Sequence, residues 1–144
     1  TPDGDGGPRL RVEPTPPAVP ARLLVVEDEP LVRDFVAGAL RRDQYEVVVA
    51  AGVAEGVAAA TAGGPSFDLL LCDLVLADGH GPTVAEAARA VTPDLPIIFM
   101  SGYVERDVFD TPIVAGSAFL AKPFGADQLR NAVRAAVEAA RKAS

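Results

Sequence analysis

Residues 69–73 read Leu69-Leu70-Leu71-Cys72-Asp73, four apolar side chains in unbroken succession closed by a carboxylate. Successive side chains of a strand point to opposite faces, so a run without a polar member predicts a strand buried on both sides. Four further runs have this texture: Leu23-Leu24-Val25-Val26, Val47-Val48-Val49, Ile97-Ile98-Phe99-Met100 and Ala118-Phe119-Leu120. The stretches between them carry helical period. Leu31, Val32, Phe35, Val36, Ala39 and Leu40 form one apolar stripe, and Leu129, Ala132, Val133, Ala136, Val137 and Ala140 form another, both expected to pack on the core. Residues 53 to 62 are Ala-rich and stop at Gly63-Gly64-Pro65, and 82 to 91 open at Pro82, a favoured first helical position. Strand and helix alternate, which predicts an α/β fold of five β/α units around a parallel sheet.

The 144 residues suffice for one domain and a tail. Residues 1–21 hold six prolines and three glycines before position 21 and read as a semi-extended linker, with the folded domain over 22–144. The chain opens on Thr1 without the pattern of a leader, so a piece of a longer polypeptide is expected. No apolar run is long enough to span a bilayer, and membrane insertion by this segment is not expected. A net charge of -7 with no concentration of Lys and Arg argues against direct nucleic-acid binding. The single cysteine, Cys72, can form neither an internal disulfide nor a zinc site, consistent with a reducing, cytoplasmic location. Residues 102 to 116, interrupted by Gly102, Pro112 and Gly116, predict a short or irregular helix.

In an open parallel sheet, ligands bind outside the carboxyl ends of the strands. The residues there are Glu27 and Asp28 after the first run, Asp73 after the third, Ser101 after the fourth, and Lys122-Pro123 after the fifth. Three carboxylates on one edge repel one another unless a cation joins them. An all-oxygen set favours a hard divalent ion, Mg²⁺ or Mn²⁺. His80 lies in a glycine-rich loop and reads as exposed rather than as a ligand. An Asp carboxylate can attack phosphorus and carry an acyl phosphate if the charge on the phosphoryl oxygens is neutralised. Asp73 is the candidate nucleophile, with the metal, the Lys122 ammonium and the Ser101 hydroxyl each serving one phosphoryl oxygen.

The segments Leu24-Val25-Val26-Glu27-Asp28-Glu29, Leu71-Cys72-Asp73-Leu74-Val75-Leu76, Met100-Ser101-Gly102-Tyr103 and Ala121-Lys122-Pro123-Phe124 resemble the signatures of two-component, CheY-like receiver domains, over about residues 22 to 141. The resemblance implies a (βα)5 flavodoxin-like doubly wound sheet of strand order 2-1-3-4-5. It implies Asp73 as phosphoacceptor, Asp28 as direct metal ligand, Glu27 acting through water, the Val75 carbonyl as backbone ligand, and a cis peptide bond before Pro123. It also implies a switch in which Ser101 moves toward the phosphoryl group and Phe119 changes rotamer. Glu27 in place of the more usual Asp, and Ala77 where proline is frequent, are the departures.

The implied partner is a histidine kinase or a histidine phosphotransfer protein. Ser101-Gly102-Tyr103 and Gly81-Pro82-Thr83 resemble receivers attached to hybrid sensor histidine kinases, the expected context. A stand-alone or effector-linked response regulator and a degenerate receiver acting as a static interaction module are the alternatives. A flavin or nucleotide carrier lacks support, because Glu27-Asp28-Glu29 stands where a glycine-rich phosphate loop would be needed. An aspartyl-phosphate hydrolase commonly carries its nucleophile on the first strand, not the third. Oligomeric state is not legible in these residues.

Overall fold

A computed structural model describes residues 20–102 and 116–143. The expected linker up to residue 19, Tyr103 and the expected irregular segment from 103 to 115 lie outside the described residues. The elements run β1 (Arg22–Val26), α1 (Pro30–Arg42), β2 (Glu46–Ala50), α2 (Val53–Ala60), β3 (Leu69–Asp73), β4 (Val75–Leu76), β5 (Gly79–His80), α3 (Gly81–Val91), β6 (Ile97–Ser101), β7 (Ala118–Ala121) and α4 (Ala126–Ala143). Five strands form a parallel sheet in the order β2-β1-β3-β6-β7. With the two-residue arms β4 and β5 set aside, this is the expected order 2-1-3-4-5. Those arms pair antiparallel, Val75 with His80 and Leu76 with Gly79, in a small hairpin that the apolar pattern does not announce.

Side-chain alternation along the central strands divides the core in two. Leu24, Val26, Leu70, Cys72, Ile97 and Phe99 belong to the half that includes Val84, Ala85 and Ala88 of α3. Leu23, Val25, Leu69, Leu71, Ile98 and Met100 belong to the half that includes Val36 and Leu40 of α1 and Leu129, Val133 and Val137 of α4. Every residue of β3 and β6 is buried, as the unbroken runs require. The edge strands depart from that reading. Val49 on β2 is exposed, and on β7 Phe119 and Leu120 are only partly buried, because an edge strand has one neighbour fewer to cover it.

The α1 stripe also divides. Val36, Ala39 and Leu40 are buried, but Leu31 is 80% exposed and Phe35 44% exposed. The first turn of α1 begins just past the end of β1, where the sheet no longer lies beneath it. Ala21, read as linker, is instead buried, and its carbonyl accepts the Glu46 N–H.

Candidate functional site

The carboxyl ends of β1, β3, β6 and β7 bring together the residues expected there. Glu27 is fully buried, Asp73 is 4% exposed and Asp28 is half-buried. Each offers a carboxylate oxygen, and these lie within 4.8 Å of one another. Lys122 reaches in from the loop after β7, its Nζ donating to Glu27 Oε1 at 3.0 Å and pairing with Asp73 Oδ1 at 2.9 Å. The Lys122-Pro123 peptide bond is cis, as expected.

The main chain fixes this edge. The Leu74 N–H donates to the Met100 carbonyl and the Lys122 N–H to the Ser101 carbonyl, so β3, β6 and the Lys122 loop share one ladder. Glu27 Oε2 accepts the Glu29 N–H, while Arg33 donates to the Glu27 main-chain carbonyl at 2.9 Å. Ser101 is fully buried, and its Oγ has no hydrogen-bond partner among the described residues. A buried hydroxyl without a partner costs stability, roughly 1–3 kcal/mol, and such groups mark functional positions often enough to require an account. Phe119, on the same strand as Ala121 opposite Ser101, stacks at 5.8 Å against the fully buried Phe99.

Among the described residues, three carboxylates gather beside one ammonium, which leaves the edge short of positive charge. Burial pushes the Asp73 carboxyl up to about 7, helped by the Glu27 charge and opposed by the hydrogen bond and charge of Lys122. For Lys122, burial is the largest influence and works downward, but hydrogen bonds and charges from Asp73 and Glu27 outweigh it and the net displacement is upward. The ammonium therefore stays charged while Asp73 shares its attraction with Glu27. The donor set is all oxygen and anionic, which fits a hard divalent cation.

The buried Asp73 carboxyl makes stability depend on pH. Its folded pKa lies above its unfolded value of about 4, so its contribution to stability is complete below pH 4 and is lost as pH rises through 7. In EDTA, wild type should lose on the order of 2–4 kcal/mol relative to Asp73→Asn between pH 5 and 8.5. Paired chemical denaturation curves across that range check it; a constant difference contradicts it.

Three contacts are missed in the sequence reading. Asp28 Oδ2 accepts the Ala77 N–H at 2.8 Å, so this carboxylate also holds the hairpin after Asp73. Asp78, in the turn of that hairpin, contacts the start of α2. Gly81 opens α3 so close to the acceptor strand that a Cβ there would lie 2.2 Å from the Asp73 carbonyl oxygen and 3.2 Å from Cys72 Sγ. The glycine pair flanking His80 was a visible signal for the last of these; the other two depend on a hairpin whose arms are too short to show periodicity.

A five-stranded parallel sheet in this order, with a lysine and three carboxylates at its carboxyl edge, has the architecture of a flavodoxin-like receiver domain. The response regulator receiver domain profile matches residues 23–134, and the chain belongs to that family, the receiver domains of two-component signalling. It is 37% identical over 120 residues to the sensor kinase CckA of Brucella abortus, spanning 82% of this chain and 13% of the kinase. It is 34% identical over 122 residues to the transcriptional regulatory protein PdtaR of Mycobacterium tuberculosis, spanning 83% of this chain and 58% of that protein. The chain thus covers less than two thirds of either relative. Among solved structures, the receiver domain from the hybrid histidine kinase CckA superposes with a TM-score of 0.70 at 32% identity, over 81% of this chain and 99% of that one. A response regulator receiver domain protein from Clostridium thermocellum superposes at 0.77 with 24% identity, over 86% and 99%, a likeness of fold. No described helix is long and apolar enough to cross a membrane.

Proposed function

We propose that Asp73 accepts a phosphoryl group from a phosphohistidine of a histidine kinase or histidine phosphotransfer protein, and that the acyl phosphate alters a protein contact. The observation that carries this reading is the sharing of one ammonium, Lys122, between buried Asp73 and buried Glu27, beside a buried Ser101 hydroxyl with no hydrogen-bond partner among the described residues. A site built this way is short of positive charge and holds a hydroxyl ready for an incoming oxygen.

Asp73 attacks phosphorus, the P–N bond to the imidazole breaks, and its electron pair returns to the ring nitrogen. Lys122 turns its ammonium toward a phosphoryl oxygen, and Ser101 Oγ donates to another. Glu27, Asp28, Asp73 and the Val75 carbonyl would hold Mg²⁺ or Mn²⁺. When bound, the ion supplies Lewis-acid neutralisation of charge on the phosphoryl group and among the carboxylates. The product adds roughly -1.5 to -2 charges at the sheet edge. Ser101 and Phe119 are the switch residues in this reading: movement of the hydroxyl toward the phosphoryl group leaves space for the Phe119 ring.

The donor protein must reach Asp73, and an apolar groove of about 500 Å³ is lined by Leu31, Val32, Phe35, Pro123, Phe124 and by Lys122, the ion-pair partner of Asp73. The exposure of Leu31 and Phe35 suits a partner surface here. The likeness to the CckA receiver supports attachment to a hybrid sensor histidine kinase, and the likeness to PdtaR supports an effector-linked regulator as the second reading.

Lys122→Ala tests the division of roles. Removing the ammonium leaves Glu27 and Asp73 unpaired, so the variant should lose about 2 kcal/mol in EDTA, less than a fully buried pair because Lys122 is partly exposed. Mg²⁺ should restore that loss. Beryllofluoride with Mg²⁺ should shift the Ser101 and Phe119 NMR signals in wild type and not in the variant. A variant that shifts as wild type does removes Lys122 from the mechanism.

A further inference from the structure

The hairpin β4–β5 carries Val75, and it is fastened on two sides. Toward the site, Asp28 Oδ2 holds the Ala77 N–H. Away from the site, the Asp78 carboxylate reaches α2, Oδ1 accepting the Val53 N–H at 2.7 Å and Oδ2 the Ala54 N–H at 3.2 Å. The first N–H groups of a helix have no carbonyl partner within it, and a side chain at the preceding position ordinarily supplies one. Here that position is Gly52, which has no side chain to offer. The cap comes instead from the turn after the acceptor strand.

Gly52 also makes room for this contact. A Cβ at Gly52 would lie 2.7 Å from Asp78 Oδ1 and 3.1 Å from both Cγ and Oδ2. Its φ of -172° is ordinary extended backbone, so the space is needed by the carboxylate and not by the main-chain conformation. The bonds from Val53 and Ala54 hold the Asp78 carboxyl below the usual range, as expected of an acceptor kept ionised by two amides.

We propose that Asp78 is a positioning residue for the metal site: by latching the hairpin tip to the start of α2, it holds the main chain of 75–77 against Asp28. This rests on the reading that the site takes a divalent cation. A hairpin of two-residue arms has too few bonds of its own to fix its position. The Asp28 and Asp78 contacts fasten its turn at two adjacent residues, Ala77 and Asp78.

Calorimetric titration of Mg²⁺ into the full chain, at a temperature where circular dichroism shows each variant folded, tests the latch. Asp78→Ala should weaken Mg²⁺ binding by about tenfold, the range for partners that orient ligands without touching the metal. Asp78→Asn removes the same charge but keeps one acceptor oxygen, so it should stay within about threefold of wild type. Gly52→Ala should weaken binding from the other side of the contact and add nothing to Asp78→Ala. Amide exchange at Val53 and Ala54 should slow with Mg²⁺ in wild type but not in Asp78→Ala.

The latch is overturned if wild type binds Mg²⁺ and Asp78→Ala binds within about twofold of it, as a plain helix cap would allow. It is equally overturned if Asp78→Asn falls as far as Asp78→Ala, since charge alone then accounts for the loss. Should Asp78→Ala not fold, Gly52→Ala and Asp78→Asn decide by the same pattern. A wild type that takes no Mg²⁺ removes the cation reading itself, and the latch with it.

Discussion

Asp73→Asn should reduce phosphoryl incorporation to background while leaving the domain folded. The substitution preserves shape but replaces a carboxylate by an amide whose oxygen is a poor nucleophile. Glu27 shares Lys122 but is held by the Glu29 N–H, and Asp28 is held by the Ala77 N–H. The stability comparison in EDTA supplies the control. Asn at position 73 relieves a buried acid, so the variant should melt no lower than wild type at pH 8. Loss of incorporation in a folded, equally stable variant assigns the chemistry to the carboxylate; incorporation at the wild-type level in that variant refutes the assignment.

Among the glycines whose surroundings are described, Gly81→Ala should be the most damaging substitution. The added carbon would lie 2.2 Å from the Asp73 carbonyl oxygen, a main-chain atom that cannot rotate aside, and 3.2 Å from Cys72 Sγ. The Gly81 N–H also donates to the Leu74 carbonyl, so α3 cannot retreat without breaking a bond to the acceptor segment. Overpacking of this kind costs about 1–3 kcal/mol or more, a fall in melting temperature of roughly 5–10 °C for a domain of this size. Relief by displacing Asp73 would also slow phosphoryl acceptance, since misplacement by about 1 Å can cost 10²-fold. Melting and phosphorylation rate should fall together. A variant within about 1 °C of wild type would show that the contact is softer than this geometry requires.

The legible parts of the fold were those whose signal is long or repeated. Runs such as Leu69 to Cys72 and Ile97 to Met100 fix central strands because both faces must be apolar, and the strand ends then deliver Glu27, Asp73, Ser101 and Lys122 to one edge. The α1 stripe misled in its first turn, since periodicity tells which face of a helix is apolar but not how far the sheet extends beneath it. The hairpin of 75–80 was invisible because two-residue arms carry no period. With it went Asp78, whose contacts to α2 span 24 and 25 positions and depend on three-dimensional placement. Asp28 was read as a ligand from its place after β1, but its second bond, to Ala77, required the same hairpin.

Intact mass measures most directly whether Asp73 is the phosphoacceptor. Wild type and Asp73→Asn are incubated with a small acyl phosphate donor, with Mg²⁺ or with EDTA. Wild type should gain one phosphoryl mass with Mg²⁺ and none with EDTA, and Asp73→Asn should gain none under either condition. A folded, Mg²⁺-saturated wild type that gains no mass would contradict that role and leave a static interaction module as the better description of this receiver.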